Sequence, residues 1–215
     1  MRYHSAITAT ISVAAVAEAM ATPTDDSINA RPEIPNGYKI EPMTWRGVIE
    51  KRGPELSFNG TIDEVTQKIQ AVKKDFTWEG PHRRDLGAPD KNTHIQERGT
   101  KTGIICGVGG EDVSLGPLTA NMEDSADKLS KMSGTCSVPA GPRVCAALVC
   151  TRNAAVWLCN DNSTPISLSC SSLASYVDDI VGKCGQDYNH GDRYCRGQEF
   201  DSDNFNVAVG WKSQC

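Results

Sequence analysis

The residues of this 215-residue chain best placed to do chemistry are its nine cysteines, and all of them fall from position 106 onward: Cys106, Cys136, Cys145, Cys150, Cys159, Cys170, Cys184, Cys195 and Cys215. A thiol can ligate a metal, attack a substrate or oxidise to a cross-link, and spacing bears on which. Structural zinc wants four thiolate or imidazole ligands, commonly in paired Cys-x2-Cys knuckles. The run Cys145-x4-Cys150-x8-Cys159 holds no knuckle, and His190 is the only histidine beyond Cys106. A nucleophilic thiol needs a base within hydrogen-bond reach. His190 stands near Cys195 in "NHGDRYC", which reads as a surface loop, and no GxSxG elbow offers a serine instead. "DSDNFN" from Asp201 has a calcium-loop look, but lacks glycine at its sixth position and has Lys212 where a bidentate glutamate belongs. Paired carboxylates for a small hydrolase could come from Asp178, Asp179, Glu199, Asp201 and Asp203, if two of them faced each other across a cleft. Cross-linking is the remaining and favoured chemistry, with no metal, no cofactor and no catalytic residue expected. Spacing does not give the connectivity. Nine is odd, so one thiol is left over; Cys136 and Cys195, both in expected loops, are the candidates. The chain is expected to be a monomer, with a disulfide-linked dimer open through that thiol.

These cysteines must be held by elements. The spacing predicts a strand at "GIICGV", a helix at "LTANMEDSADKLSKMSG" with Met122, Ala126 and Leu129 on one face and Gly134 as its stop, and a proline-glycine loop at "CSVPAGPRVC". "CAALVC" and "AAVWLC" read as a hairpin around "TRN". "SLSCSSLASYVDDIVGKCG" reads as a helix, with Cys170, Leu173, Val177, Ile180 and Cys184 on one face. "RGQEF" and "FNVAVGW" finish as strands, the second alternating as a half-buried strand does. The fold class expected is α+β: a small disulfide-stapled sandwich, an antiparallel sheet with two helices on one face.

Residues 1–105 carry no cysteine. Residues 1–21 have the pattern of a signal peptide, with Arg2, an apolar run and a small-x-small site ending at Ala21. Residues 22–37 read as a linker. Residues 38–79 read as a small strand-helix unit, in which "GYKIEPMTWRGVIEKRG" is a strand pair and "FNGTIDEVTQKIQAVKKDF" a helix. Thr61 and Glu64 there form a capping box, and Ile62, Val65, Ile69, Val72 and Phe76 an apolar stripe. Residues 80–102 read as a connector and 103–215 as the cysteine-rich domain. Dibasic pairs at Lys51-Arg52 and Arg83-Arg84 are processing candidates, cut after Arg52 or Arg84, which would make residues 38–79 a possible propeptide. Asn59 and Asn162 head glycosylation sequons.

A net charge of -5 without a basic stripe argues against a nucleic-acid partner, and beyond the N-terminal segment no apolar run is long enough to span a membrane. Signal peptide and dense cysteines together point to a secreted, extracellular protein.

The segment "GPRVCAALVCTRNAAVWLCNDN", the cysteine-bounded helix "CSSLASYVDDIVGKC" and the ending "RGQEF…FNVAVGWKSQC" resemble the secreted cysteine-rich proteins of filamentous fungi of the killer-protein-four type, a killer toxin-like family. The resemblance covers about residues 103–215. It implies an α/β sandwich, secreted and non-enzymatic, whose relatives are toxins, antifungal proteins or effectors acting on a competing or host cell. It also implies Arg143, which precedes a Val-Cys pair, as a target-binding residue. The family's toxin is thought to inhibit calcium channels through such a basic residue, and a cation-channel blocker would be expected to be basic; from Gly99 onward Lys plus Arg number 9 and Asp plus Glu 13. The alternative is an extracellular carbohydrate or cell-wall binding module, for which Trp157, Trp211, Tyr176 and Tyr188 are the aromatic candidates.

Overall fold

The computed structural model describes residues 34, 37–50, 52–78, 99–107, 112–188 and 191–215. The expected signal peptide with Ala21, nearly all of the linker, and Arg84 lie outside them. Fifteen regular elements follow one another: β1 (Lys39–Ile40), β2 (Thr44–Val48), β3 (Glu55–Asn59), α1 (Ile62–Val72), β4 (Lys101–Cys106), α2 (Thr119–Lys131), β5 (Thr135–Val138), β6 (Val144–Thr151), β7 (Ala154–Asn160), β8 (Ile166–Ser169), α3 (Ala174–Cys184), β9 (Gln186–Asp187), β10 (Arg193–Tyr194), β11 (Gly197–Asp201) and β12 (Phe205–Trp211).

The main sheet has six strands in the order β1-β6-β7-β12-β11-β4, antiparallel except for the short parallel pairing of β1 with β6. On one face Val156, Leu158, Phe205, Val207 and Val209 join the buried residues of the helices in one core. α2 packs against β6, β7 and α3, while α3 packs against β4, β11 and β12. The fold is therefore the mixed α+β, disulfide-stapled arrangement expected, with more strands. β12 departs from the half-buried expectation, since Phe205 through Gly210 are all buried. A second cluster explains it: Cys145, Ala155, Trp157, Cys159 and Ala208 cover the far face, with Ile34 and Tyr38 packed on them.

Two stretches of the cysteine-rich half fold differently from their local pattern. Thr135–Val138, expected as loop, is strand β5, because distant strands complete it: β2 on one side and β8 on the other. The second helix starts only at Ala174, after strand β8 and a 3-10 turn at Cys170–Leu173. Serines hold that irregular entry. The Ser172 hydroxyl donates to the Ser169 carbonyl and that of Ser175 to the Ser172 carbonyl, bonds that compete with helix.

Residues 38–79, expected as a separate small unit, share sheets and core with the rest. Lys39 and Ile40 pair with β6, not with β2, and β2 and β3 occupy one side of a four-stranded sheet, β3-β2-β5-β8. α1 starts at the expected capping box: the Thr61 hydroxyl accepts from the Glu64 N–H at 3.4 Å, and Glu64 Oε2 accepts from the Thr61 N–H at 2.7 Å. Ile62, Val65 and Ile69 are buried, whereas Val72 ends the helix exposed. The physical reason for the merger is that a helix and a hairpin this short cannot bury Trp45, Met43 and Ile69 alone; these side chains complete the core of the second half.

Four disulfides join Cys106 to Cys184, Cys136 to Cys170, Cys145 to Cys159 and Cys150 to Cys215. Two of them clamp α3, one where it is entered from β8 and one at its last residue. The third bridges register partners of the β6–β7 hairpin, and the fourth ties the C-terminal residue to β6. Their sequence separations run from 14 to 78, for which loop-closure entropy suggests roughly 3–4.5 kcal/mol each. Cys195 is the unpaired thiol and is buried; Cys136, the other candidate, is bonded.

Candidate functional site

Three places gather polar or aromatic groups. The first lies under α3. Residues 197, 199 and 201 of β11 face that helix, which brings the sequence candidates Glu199 and Asp201 together. Glu199 is 3% exposed and Asp201 5%. Tyr176 donates to Asp201 Oδ2 at 2.7 Å, and the Asp203 N–H donates to Asp201 Oδ1 at 2.9 Å. Lys101 is hydrogen-bonded to Asp179, lies 4.3 Å from the Tyr176 ring centre, and stands 3.5 Å from Glu199 Oε2. That last separation is an ion pair too long for a good hydrogen bond, and Glu199 Oε2 has no hydrogen-bond partner. Burial pushes the Glu199 carboxyl up to about 7, against the pull of Lys101 and with a push from Asp179. Two carboxyls are thus adjacent, as a hydrolase would need, and both are buried beneath α3.

The second place is the far face of the sheet. Gln198 donates to Asn206 Oδ1 at 2.8 Å, Asn206 donates to Asp161 Oδ2 at 2.9 Å, and Tyr38 donates to the same oxygen at 3.0 Å. Burial first, then the Asp161 bond, raises the Tyr38 hydroxyl to about 12. The Arg-Gly-Gln of the family resemblance is structural here: Arg196 is wholly buried, Gln198 belongs to this network, and a Cβ on Gly197 would come within 2.8 Å of Ile180 Cγ2. Arg143 is exposed at the edge of the same face, in left-handed backbone with φ 60°, and its carbonyl accepts from the Lys39 N–H at 2.9 Å.

The third is a groove of about 430 Å³, lined among others by Asn121, Arg152, Asn153, Tyr188, Tyr194 and Trp211. Each wall has a local cause. Arg152 and Asn153 both take left-handed backbone, φ 49° and 62°, in the two-residue turn joining β6 to β7. Trp211 ends β12, and the chain beyond it is held by the Lys212 N–H donating to the Asn153 carbonyl and by the Cys150–Cys215 bond. β9 and β10 form a separate two-stranded ribbon that presents Tyr188 and Tyr194 edge to face, ring centres 6.2 Å apart at 89°. A bridge between Leu118 and Tyr194 seats the ribbon at the start of α2. Asn121 Nδ2 donates to the Arg152 carbonyl at 3.3 Å, and the Arg152 guanidinium pairs with Asp124.

Of the four aromatic candidates, the structure brings Tyr188 and Trp211 into this groove. It buries Trp157 on the far face and Tyr176 against Asp201. Tyr194 was not singled out from sequence; its signal was its place across Gly191 from Tyr188 in a turn-bearing stretch. Asn59 is exposed in β3 and accepts from Thr44. Asn162 is half-buried, with Nδ2 donating to the carbonyls of Asp203 and Asn204. Arg52 is exposed between β2 and β3. His190 lies outside the described residues, and burial raises the Cys195 thiol to about 12. The carboxylates after β11 are taken by backbone: Gly99 N–H donates to Asp203 Oδ2 at 2.8 Å. Among the described residues no group of His, Cys, Asp and Glu is placed to hold a metal, and no helix is long and apolar enough to cross a membrane. A scan against protein-family models and searches of curated proteins and of solved structures each gave no match.

Proposed function

We propose that this chain is a secreted, killer toxin-like or effector-like protein that works by binding a target on another cell, without turning over a substrate. One observation carries the reading. The Cys150–Cys215 bond and the backbone bond from Lys212 to Asn153 hold the end of β12, with Trp211, against the β6–β7 turn, and the Leu118–Tyr194 bridge seats the aromatic ribbon beside them, so the groove is built before any ligand is present. A surface ordered in advance loses less conformational entropy on binding, which favours recognition. The groups that could transfer protons, Glu199 and Asp201, lie instead under α3. The small-hydrolase reading has its two carboxyls side by side, both buried.

The test uses the purified secreted protein on competing fungi and on host cells. Fluorescently labelled protein should bind intact cells saturably and slow growth or elicit a response, and prior reduction should abolish both. Release of reducing ends or peptide fragments from cell walls, with no saturable binding, would overturn the reading.

A further inference from the structure

We infer that the groove between the β9–β10 ribbon, the β6–β7 turn and the end of β12 is a carbohydrate subsite, taking a β-linked pyranose chain of the kind that builds cell walls. This deepens the binding function proposed above and rests on it.

The chemistry of the walls selects this ligand class. A pyranose ring has an apolar face of C–H groups and a rim of hydroxyls that both donate and accept. Tyr188 is exposed (50%), its ring position fixed by the edge-to-face contact with Tyr194. Trp211 supplies a second aromatic wall across the groove. Such rings give a large contact area with few rotatable bonds, so little entropy is lost when a sugar stacks on them. Asn121 and Asn153 add side-chain amides; Asn121 Nδ2 already donates one N–H to the Arg152 carbonyl, which leaves its Oδ1 and second N–H to meet sugar hydroxyls.

The same walls disfavour other ligands. Arg152 is the cationic group among them, and Asp124 already neutralises it. An anionic ligand would therefore gain little. The cavity volume suits one or two sugar rings rather than a protein loop. The parts of the wall are also braced: the Arg152–Asn153 turn by its two left-handed residues and the strand pair it joins, and Trp211 by the disulfide four residues on. A neutral oligosaccharide is the ligand that uses every one of these features.

The experiment titrates the full secreted protein with chitohexaose and, separately, with laminarihexaose, following intrinsic tryptophan fluorescence and calorimetry. At least one should bind saturably and shift the fluorescence, through Trp211; which one binds separates an amino-sugar from a glucose polymer as source. Tyr188→Ala should weaken that binding tenfold or more with an unchanged melting temperature, whereas Tyr188→Phe should keep it. Asn121→Ala, away from the ribbon, should weaken it severalfold. No binding of either oligosaccharide, or equal binding by wild type and Tyr188→Ala, overturns the subsite. Labelling of intact cells by the same proteins distinguishes the two levels. Wild type that labels cells but binds no sugar leaves the binding function standing and removes the subsite. Wild type that binds sugar but neither labels cells nor affects them keeps the subsite and removes the toxin-like function.

Discussion

Trp45 of β2 stands directly opposite Cys136 of β5, and its indole N–H donates to the Ser133 carbonyl at 2.8 Å. The pair stitches the cysteine-free N-terminal segment to the cysteine-rich part of the chain. Gly134 makes the contact possible: it has φ +87°, and a Cβ there would meet the Arg46 carbonyl oxygen at 2.4 Å.

Processing at Arg84 is therefore expected to give two chains that stay together. Met43, Trp45, Val65 and Ile69 are wholly buried in the common core, and burial of each such side chain is worth about 1.5–3 kcal/mol. No disulfide joins the two fragments, because residues 1–105 hold no cysteine. Size exclusion of the protein cleaved after Arg84 should show one species, and denaturing gels two fragments, with or without reductant. Independent elution of an N-terminal fragment, with the remainder keeping its melting temperature, would show that residues 38–78 are dispensable.

The odd cysteine gives a second prediction. Cys195 is wholly buried, its Sγ 3.6 Å from the Ile180 carbonyl, and burial raises the thiol to about 12. The thiolate, which is the reactive form, is then scarce at neutral pH. Intact mass should match four bridges and one free thiol. That thiol should ignore a water-soluble reagent in the native protein and react fully in denaturant. A covalent dimer that reductant splits would contradict the buried position.

Removing the Cys106–Cys184 bond should cost about 2–5 kcal/mol, since it ties the last residue of α3 to edge strand β4. A C106A/C184A double variant should melt well below wild type. Loss of Cys145–Cys159, whose residues already pair in the β6–β7 hairpin, should be felt less.

Gly197→Ala tests the close approach of α3 to the sheet. The added methyl would lie 2.8 Å from Ile180 Cγ2, and 3.0 Å from both Cys184 Sγ and the Ile105 carbonyl oxygen. Overpacking of this kind costs about 1–3 kcal/mol. Gly103→Ala, with nothing within 4 Å of its added Cβ, is the control that should leave the melting temperature nearly unchanged.

Much of this was legible in the residues, and what was not has a common cause. The capping box at Thr61, the face of α2 and the hairpin of β6 with β7 are local patterns, and they appear where their spacing puts them. β5 is four residues long and becomes a strand only because β2 and β8 arrive from distant parts of the chain. The burial of both faces of β12 depends on Tyr38 and Ile34 crossing the far side, which alternation within β12 cannot reveal. The groove is assembled from three short turns and strand ends, so its aromatic residues never share a periodic face in sequence. Glu199 and Asp201 are two apart on one strand and so share a face, but only the position of α3 decides that the face is closed.

That closure has a consequence for pH. Glu199 has a folded pKa near 7 against an ordinary 4.5, because burial disfavours its charge more than Lys101 restores it. Between those two values the folded protein holds a proton that the unfolded chain releases, so its stability falls as pH rises. The contribution is complete below about 4.5 and is lost as pH passes 7. A shift of this size is worth about 3 kcal/mol, less to the extent that solvent screens the carboxyl. The groups facing Glu199 set the remaining charges: Lys101 from β4, Asp179 from α3 and Asp201 on its own strand. Glu199→Gln should flatten the melting temperature between pH 5 and pH 8 and raise it at pH 8 above wild type. Lys101→Met should do the opposite, pushing the carboxyl further up and steepening the loss. If Glu199→Gln keeps the wild-type slope, the pH dependence belongs to another group and the carboxyl is not buried as its surroundings require.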